Sequence, residues 1–290
     1  MVHSVHVSPT PSVSEVVHDR IAEAAHRFQR ENANLTIGIS SDSIHDARVA
    51  LRRSRSYLRT FARLFDADLA VGISADLKWY ATYLGRVRDI DVTTDVLRAA
   101  AACHLDDAAK KELEGVLHER RDSAVAALRD CRTVGRYQTV LQHVRLLMDA
   151  PMRDRADLDL RTLLKRPWRD FRNAVRALSV PYEEQPLHDV RIRAKNLRYA
   201  GEIAETFESE LGRSLVTSAI TVQDRVGSHR DERAAMAWLD NNGEDAPMSR
   251  PLLELLRAGI GEERLAMDKE IARDLRRLSK AYKRLNRALR

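Results

Sequence analysis

The sequence predicts an all-α protein: a tandem duplication of one helical-bundle unit, its two bundles packed with pseudo-twofold symmetry around a basic groove or channel. Three observations carry that expectation. Glycine and proline number only 11 and 8 in 290 residues, and no proline stands between Pro11 and Pro151. An average chain holds roughly 12% of the two together, so long helices and few turns are expected. Apolar residues recur at helical spacing through most segments. Two motifs also occur twice at nearly one offset.

The segment from Ile44 reads IHDARVALRRSRSYL, and that from Leu187 reads LHDVRIRAKNLRYAG. They share His-Asp, an arginine three residues after the histidine, a β-branched residue next, and basic residues at +7 and +10. LGRVRDID from Leu84 and VGSHRDER from Val226 follow them at nearly the same separation. Paired motifs in a chain about twice that long put the seam of a duplication near Ala150-Pro151. The repeats are 14–150 and 151–290, together one domain, preceded by a flexible tail of residues 1–13.

Element by element, Ser14 to about Asn34 forms an amphipathic helix, and Asp42 or Ser43 caps the next, which runs to about Leu64. Along it Ile44, Ala47, Leu51, Leu58, Phe61 and Phe65 make a buried seam. Gly85 ends a helix in the left-handed region, and Asp89 caps the following one. Helices then fit Asp107–Asp130 and Gly135–Asp149. The second half repeats the plan with Trp168–Leu178, Pro186–Glu208, Leu211–Val226 and Asp231–Asn241. A long C-terminal helix follows, with Ile271, Leu275, Leu278, Tyr282, Leu285 and Leu289 as its seam.

The formal net charge is +6, and the 49 basic residues are mostly arginine. Arginine's planar fork matches phosphate geometry, so the bias fits a polyanion partner; it fits a G- and C-rich genome equally. Cys103 and Cys131 are too few for a disulfide scaffold and lack metal spacing, and read as reduced helix residues of a cytoplasmic protein. No run approaches the ~18 apolar residues of a membrane span. MVHSVHVSPTPSVS has neither the basic nor the apolar region of a signal peptide.

The motif helices hold the chemistry. His45, Arg48, Arg52, Arg55 and Arg59 fall at 0, +3, +7, +10 and +14, a ribbon about 21 Å long beside the apolar seam. His188, Arg191, Lys195 and Arg198 form its counterpart. Like charges at these spacings repel by a few tenths of a kcal/mol per pair. One such ribbon is commonly neutralised by acidic neighbours, but two at equivalent positions that meet across a twofold want a linear polyanion.

His-x-x-Arg-[Val/Ile]-x-x-[Arg/Lys]-[Arg/Asn]-x-Arg, then Leu-Gly-x-x-Arg-Asp and a repeat of both, resembles the CHAD family, the conserved-histidine α-helical domain. The likeness runs from about Ser14 to Leu289 and includes Gly135-Arg136-Tyr137. It implies two helical bundles around a basic channel, binding of inorganic polyphosphate without catalysis, and association with polyphosphate granules in some members. It also implies contacts from His45, Arg48, Arg52, Arg53 and Arg55, with His188, Arg191, Lys195 and Arg198; Arg59 is added to them by its +14 place on the ribbon. The second half departs at Asn196, where the first has Arg53, and at Ser228-His229-Arg230-Asp231, which is more basic than the usual stretch.

Alternatives stay open around this core. The two histidines read as buried structural residues, as phosphate donors, or, less simply, as metal ligands; Val49 and Ile192 at +4 supply no second ligand. Gly85-x-x-Arg88-Asp89 and Gly227-x-x-Arg230-Asp231 read as helix–helix turns, or as places where Arg88 and Arg230 meet the anion. The last twenty residues hold eight basic side chains and one acid. They form a solvated face, an extension of the groove, or a membrane-surface helix.

No Gly-x-Ser-x-Gly, His-Glu-x-x-His, phosphate-loop or Glu-x-Glu-x-Lys motif is present, so neither an enzyme nor a cofactor is expected. The rival functions are a general nucleic-acid-binding module, with nucleic acid otherwise the weaker competitor, and a metal-assisted phosphohydrolase. Aromatic residues at 5% include no spaced stacking platform beside the ribbons, which disfavours single-stranded nucleic acid.

Overall fold

The structure is a computed structural model that describes residues 11–104, 106–149, 159–180, 182–242, 254 and 264–290. Most of the expected N-terminal tail and the seam at Ala150-Pro151 lie outside the described residues. The described chain is helical throughout: α1 (Val13–Ile37), α2 (Ser41–Thr60), α3 (Ala67–His104), α4 (Asp107–Cys131), α5 (Gly135–Asp149), α6 (Leu160–Arg176), α7 (Glu184–Phe207), α8 (Ser209–Asn242) and α9 (Arg264–Ala288). A 3-10 turn, Ala62–Leu64, follows α2.

Local chemistry sets the helix starts. Ser12 and Glu15 form a reciprocal capping box at α1, and Asp106 and Asp159 accept the Ala109 and Thr162 amides at α4 and α6. At α2 the cap is Ser40, whose hydroxyl accepts the Ser43 amide at 3.1 Å, rather than Asp42 or Ser43. The helix starts earlier because the first short oxygen side chain in Ser40-Ser41-Asp42-Ser43 already reaches the N3 amide. α6 begins at Leu160, not Trp168. Pro167 lies inside it, buried, at the cost of one intrahelical hydrogen bond to the Leu163 carbonyl.

The first five helices pack as one group, with α2 lying between α1 and α3, and the last four as another, with α8 lying between α7 and α9. The groups meet where α3 packs on α8 and α2 on α7. Ile44, Ala47, Leu51 and Leu58 are buried as their spacing predicts, joined by Phe28 of α1 and Leu77, Tyr80 and Leu84 of α3. A fully buried side chain of this size contributes about 1.5–3 kcal/mol. One polar knot sits inside: the Asn32 amide donates to the Tyr137 hydroxyl at 2.7 Å and accepts from Tyr80 at 3.2 Å. Tyr137 belongs to the Gly135-Arg136-Tyr137 element, so that signature serves packing here. On α9, Ile271, Leu275, Leu278, Tyr282 and Leu285 are buried, with Tyr282 stacked on Trp168 at 4.0 Å.

Two expected turns are absent. Gly85 lies in the middle of α3, and Gly227 in the middle of α8, each helix unbroken. Each glycine lies under an arginine of the neighbouring helix, and at Gly227 the approach is tight. A Cβ on Gly85 would stand 3.5 Å from Arg48 Nε, and one on Gly227 would stand 3.3 Å from Arg191 Nη2. Glycine in a helix costs up to about 1 kcal/mol relative to alanine, and here that cost gives a guanidinium room to lie on the neighbouring helix. Asp89 is accordingly no cap; it accepts a long 3.5 Å contact from Arg48.

Candidate functional site

The helices that carry the two ribbons are the ones that face each other across the molecule, so α2 and α7 bring their cations together. Lys195 of α7 is half-buried, and the charges that act on it most are the guanidiniums of Arg52, Arg59, Arg191 and Arg55. Burial and these four neighbours push its ammonium down from the ordinary lysine range to about 7. Arg55 feels the same environment: burial and then Arg59 lower its pKa, and its Nε donates to the Ser74 carbonyl of α3 at 3.2 Å. Arg52 Nε is buried without a hydrogen-bond partner among the described residues. An unsatisfied buried donor of this kind costs about 1–3 kcal/mol or more, and an oxyanion laid on the cluster would remove that cost.

Arg53 and Arg198 are placed differently. Glu202 takes Arg53 Nη2 at 2.8 Å and Arg198 Nε at 2.9 Å on one oxygen, and the Tyr57 hydroxyl at 2.7 Å on the other. Both guanidiniums also lie over the Tyr199 ring, 5.8 and 5.9 Å from its centroid. One carboxylate shared between two arginines leaves this cluster with a net single positive charge. Glu202 was not foreseen. Its signal was available: it occupies the +14 position of the second ribbon, where the first has Arg59, and it stands at i+4 from Arg198.

At the start of α2, His45 lies on the exposed side with its ring partly covered. That partial burial, then Arg88, and more weakly Arg52 and Arg48, lower its pKa against the opposing pull of Asp46. Arg88 Nη1 donates to the Ser41 hydroxyl at 3.2 Å, which sets α3 against the beginning of α2. Arg48 and Arg191 lie over Gly85 and Gly227, and Arg191 Nε donates to the Gln223 carbonyl at 3.1 Å. His188 is half-buried on α7. Arg230 and His229 fall on α8, but their side chains lie outside the described residues.

Such an arrangement offers fixed donors and positive charge over a long surface. Its nearest aromatics, Tyr57 and Tyr199, are 1% and 2% exposed and so closed to stacking. Among the described residues, no three His, Cys, Asp or Glu side chains converge as a metal site requires, and no helix is long and apolar enough to cross a membrane.

Two solved structures share the fold. PptA from Streptomyces chartreusis superposes with a TM-score of 0.70 at 20% identity, over 93% of this chain and 99% of that one. The CHAD domain from the plant Ricinus communis superposes with a TM-score of 0.73 at 20% identity, over 92% of each chain. No curated protein sequence matches the chain. The CHAD domain family model matches residues 19–240 and so takes in both motif helices, and the chain belongs to the CHAD family.

Proposed function

We propose that the protein binds inorganic polyphosphate, without catalysis, along the cations of α2 and α7. The observation that carries the reading is the Lys195 cluster: a half-buried ammonium depressed to about 7 by burial and then by four arginines, beside an Arg52 Nε that lacks a partner among the described residues. Polyphosphate is a linear chain of charged units with oxygen acceptors and no bases. It is matched by donors and charge alone. His45, Arg48, Arg88, Arg52, Arg55, Arg59, Arg191, Lys195 and His188 make the contacts, and Arg230 joins them from α8. Arg53 and Arg198 contribute the single charge that Glu202 leaves them. The reading takes the chain as one domain of two duplicated halves, supported by the matched seats of Arg48 on Gly85 and Arg191 on Gly227. In the cell it places the protein in the cytoplasm, at polyphosphate granules.

The test is competition binding. Polyphosphate should displace RNA or DNA readily, and nucleic acid should not displace polyphosphate. Arg52→Ala/Lys195→Ala should lose on the order of 1–3 kcal/mol of affinity per lost contact with helix content unchanged. A double variant that binds normally but melts early would mean that the ribbons are structural. Phosphate released on incubation with divalent metal would instead favour a hydrolase.

A further inference from the structure

We propose a second anion subsite beyond the end of the ribbons, at the junction of α2, α6 and α7, which holds phosphoryl groups of the polyphosphate chain as it leaves the ribbons. The inference rests on the polyphosphate reading and deepens it. A cavity of about 340 Å³ opens there, walled by Arg59, Thr60, Arg166, Asp170, Arg193 and Asn196. Three of these are arginines and one is an aspartate, so the wall is net cationic. Arg59, Arg166 and Arg193 are exposed, and Asp170 pairs with Arg169 at 3.4 Å and with Arg166 at 3.9 Å, which offsets one of the wall's positive charges.

Two features tie the cavity to the ribbons. Arg59 belongs to its wall and is also one of the four guanidiniums that act on Lys195. Asn196 follows Lys195 directly and lines the cavity from α7. A chain laid along Arg52, Lys195 and Arg55 therefore reaches Arg59 at the last turn of α2 with the cavity beside it. The cavity wall also holds an unsatisfied donor: Thr60 Oγ1 is buried there without a partner among the described residues, and its hydroxyl can donate to a phosphoryl oxygen. A further hollow of about 510 Å³ shares Arg166, Asp170 and Arg193 and adds Arg169 and Asp189, so it carries one net positive charge along α6. Neither Arg166 nor Arg193 belongs to a ribbon, and only the packing of α6 on α7 brings Arg166 to the end of the ribbon.

The experiment measures binding of long-chain polyphosphate at several salt concentrations to the full chain and three double variants. Arg166→Ala/Arg193→Ala is expected to weaken binding at least tenfold and to reduce the slope of log affinity against log salt by roughly 1.5, on the order of 0.7–0.9 per lost phosphate contact. Arg276→Ala/Lys280→Ala removes the same charge from the exposed face of α9, which lines no wall of the cavity, and should change affinity less than twofold. Arg52→Ala/Lys195→Ala reports on the ribbons themselves. If Arg166→Ala/Arg193→Ala behaves like the α9 control, the subsite is overturned while the ribbon reading stands. Wild-type protein that binds no polyphosphate overturns both.

Discussion

Lys195 makes a quantitative demand on the pH dependence of binding. In the free protein its ammonium titrates at about 7, because burial and four arginines oppose its charge. A phosphate chain laid across Arg52 and Lys195 reverses that balance and returns the group toward its ordinary value near 10.5. Binding therefore takes up a proton wherever the free lysine is neutral. From a free value of about 7, roughly half a proton per complex is taken up at pH 7 and about nine-tenths at pH 8. The same linkage makes affinity fall about tenfold between pH 6 and pH 8, about 1.4 kcal/mol. Calorimetric titration in two buffers of different ionisation enthalpy measures the uptake directly. Lys195→Arg keeps the charge and cannot titrate in this range, so its affinity should stay flat from pH 7 to 9, with no uptake. Lys195→Met should also be flat, and weaker than wild type at pH 6. A Lys195→Arg protein that retains the full pH slope would refute the argument, because the proton would then belong elsewhere.

Three further outcomes follow from the geometry. The free His45 pKa is already lowered, so bound phosphate raises it from below the usual 6.5, and affinity should keep rising as pH falls under that value; His45→Gln/His188→Gln should flatten the profile between pH 5 and 6.5 while leaving the Lys195 window intact. Gly227→Leu drives a side chain into the Arg191 guanidinium, and should cost about as much polyphosphate affinity as Arg191→Ala, on the order of 1–3 kcal/mol, with helical circular dichroism preserved. Glu202→Gln removes the charge that Arg53 and Arg198 share, so it should lower the melting temperature by the loss of about 2–4 kcal/mol. The same change should strengthen polyphosphate binding, measured by competition at fixed salt.

Much of the helical plan was legible in the sequence, because a buried stripe imposes its period on the chain. Ile44, Ala47, Leu51 and Leu58 on α2, and Ile271, Leu275, Leu278 and Leu285 on α9, were readable from spacing alone, as were α5 and nearly all of α4. The ribbons were legible for the same reason, since charges at +3, +7 and +10 must share a face. Gly85 and Gly227 were misread because a glycine signals two different needs, a positive φ or a bare backbone. Only the helix packed alongside shows which applies. The sequence reading starts this helix at Trp168, whereas α6 begins at Leu160 and holds the buried Pro167 inside it.

By itself, then, the sequence determined where helices form, which faces they bury, and that two basic ribbons exist. The tertiary structure alone decided which of those cations share a carboxylate and which crowd a buried lysine. Arg53 and Arg198 share Glu202 and keep one net positive charge between them, whereas Lys195, through burial and the charges of Arg52, Arg59, Arg191 and Arg55, is reluctant to hold its proton. The physical reason is that electrostatic energy depends on distances between side chains far apart in sequence. Residues 53 and 202 carry no trace of each other until α2 and α7 pack.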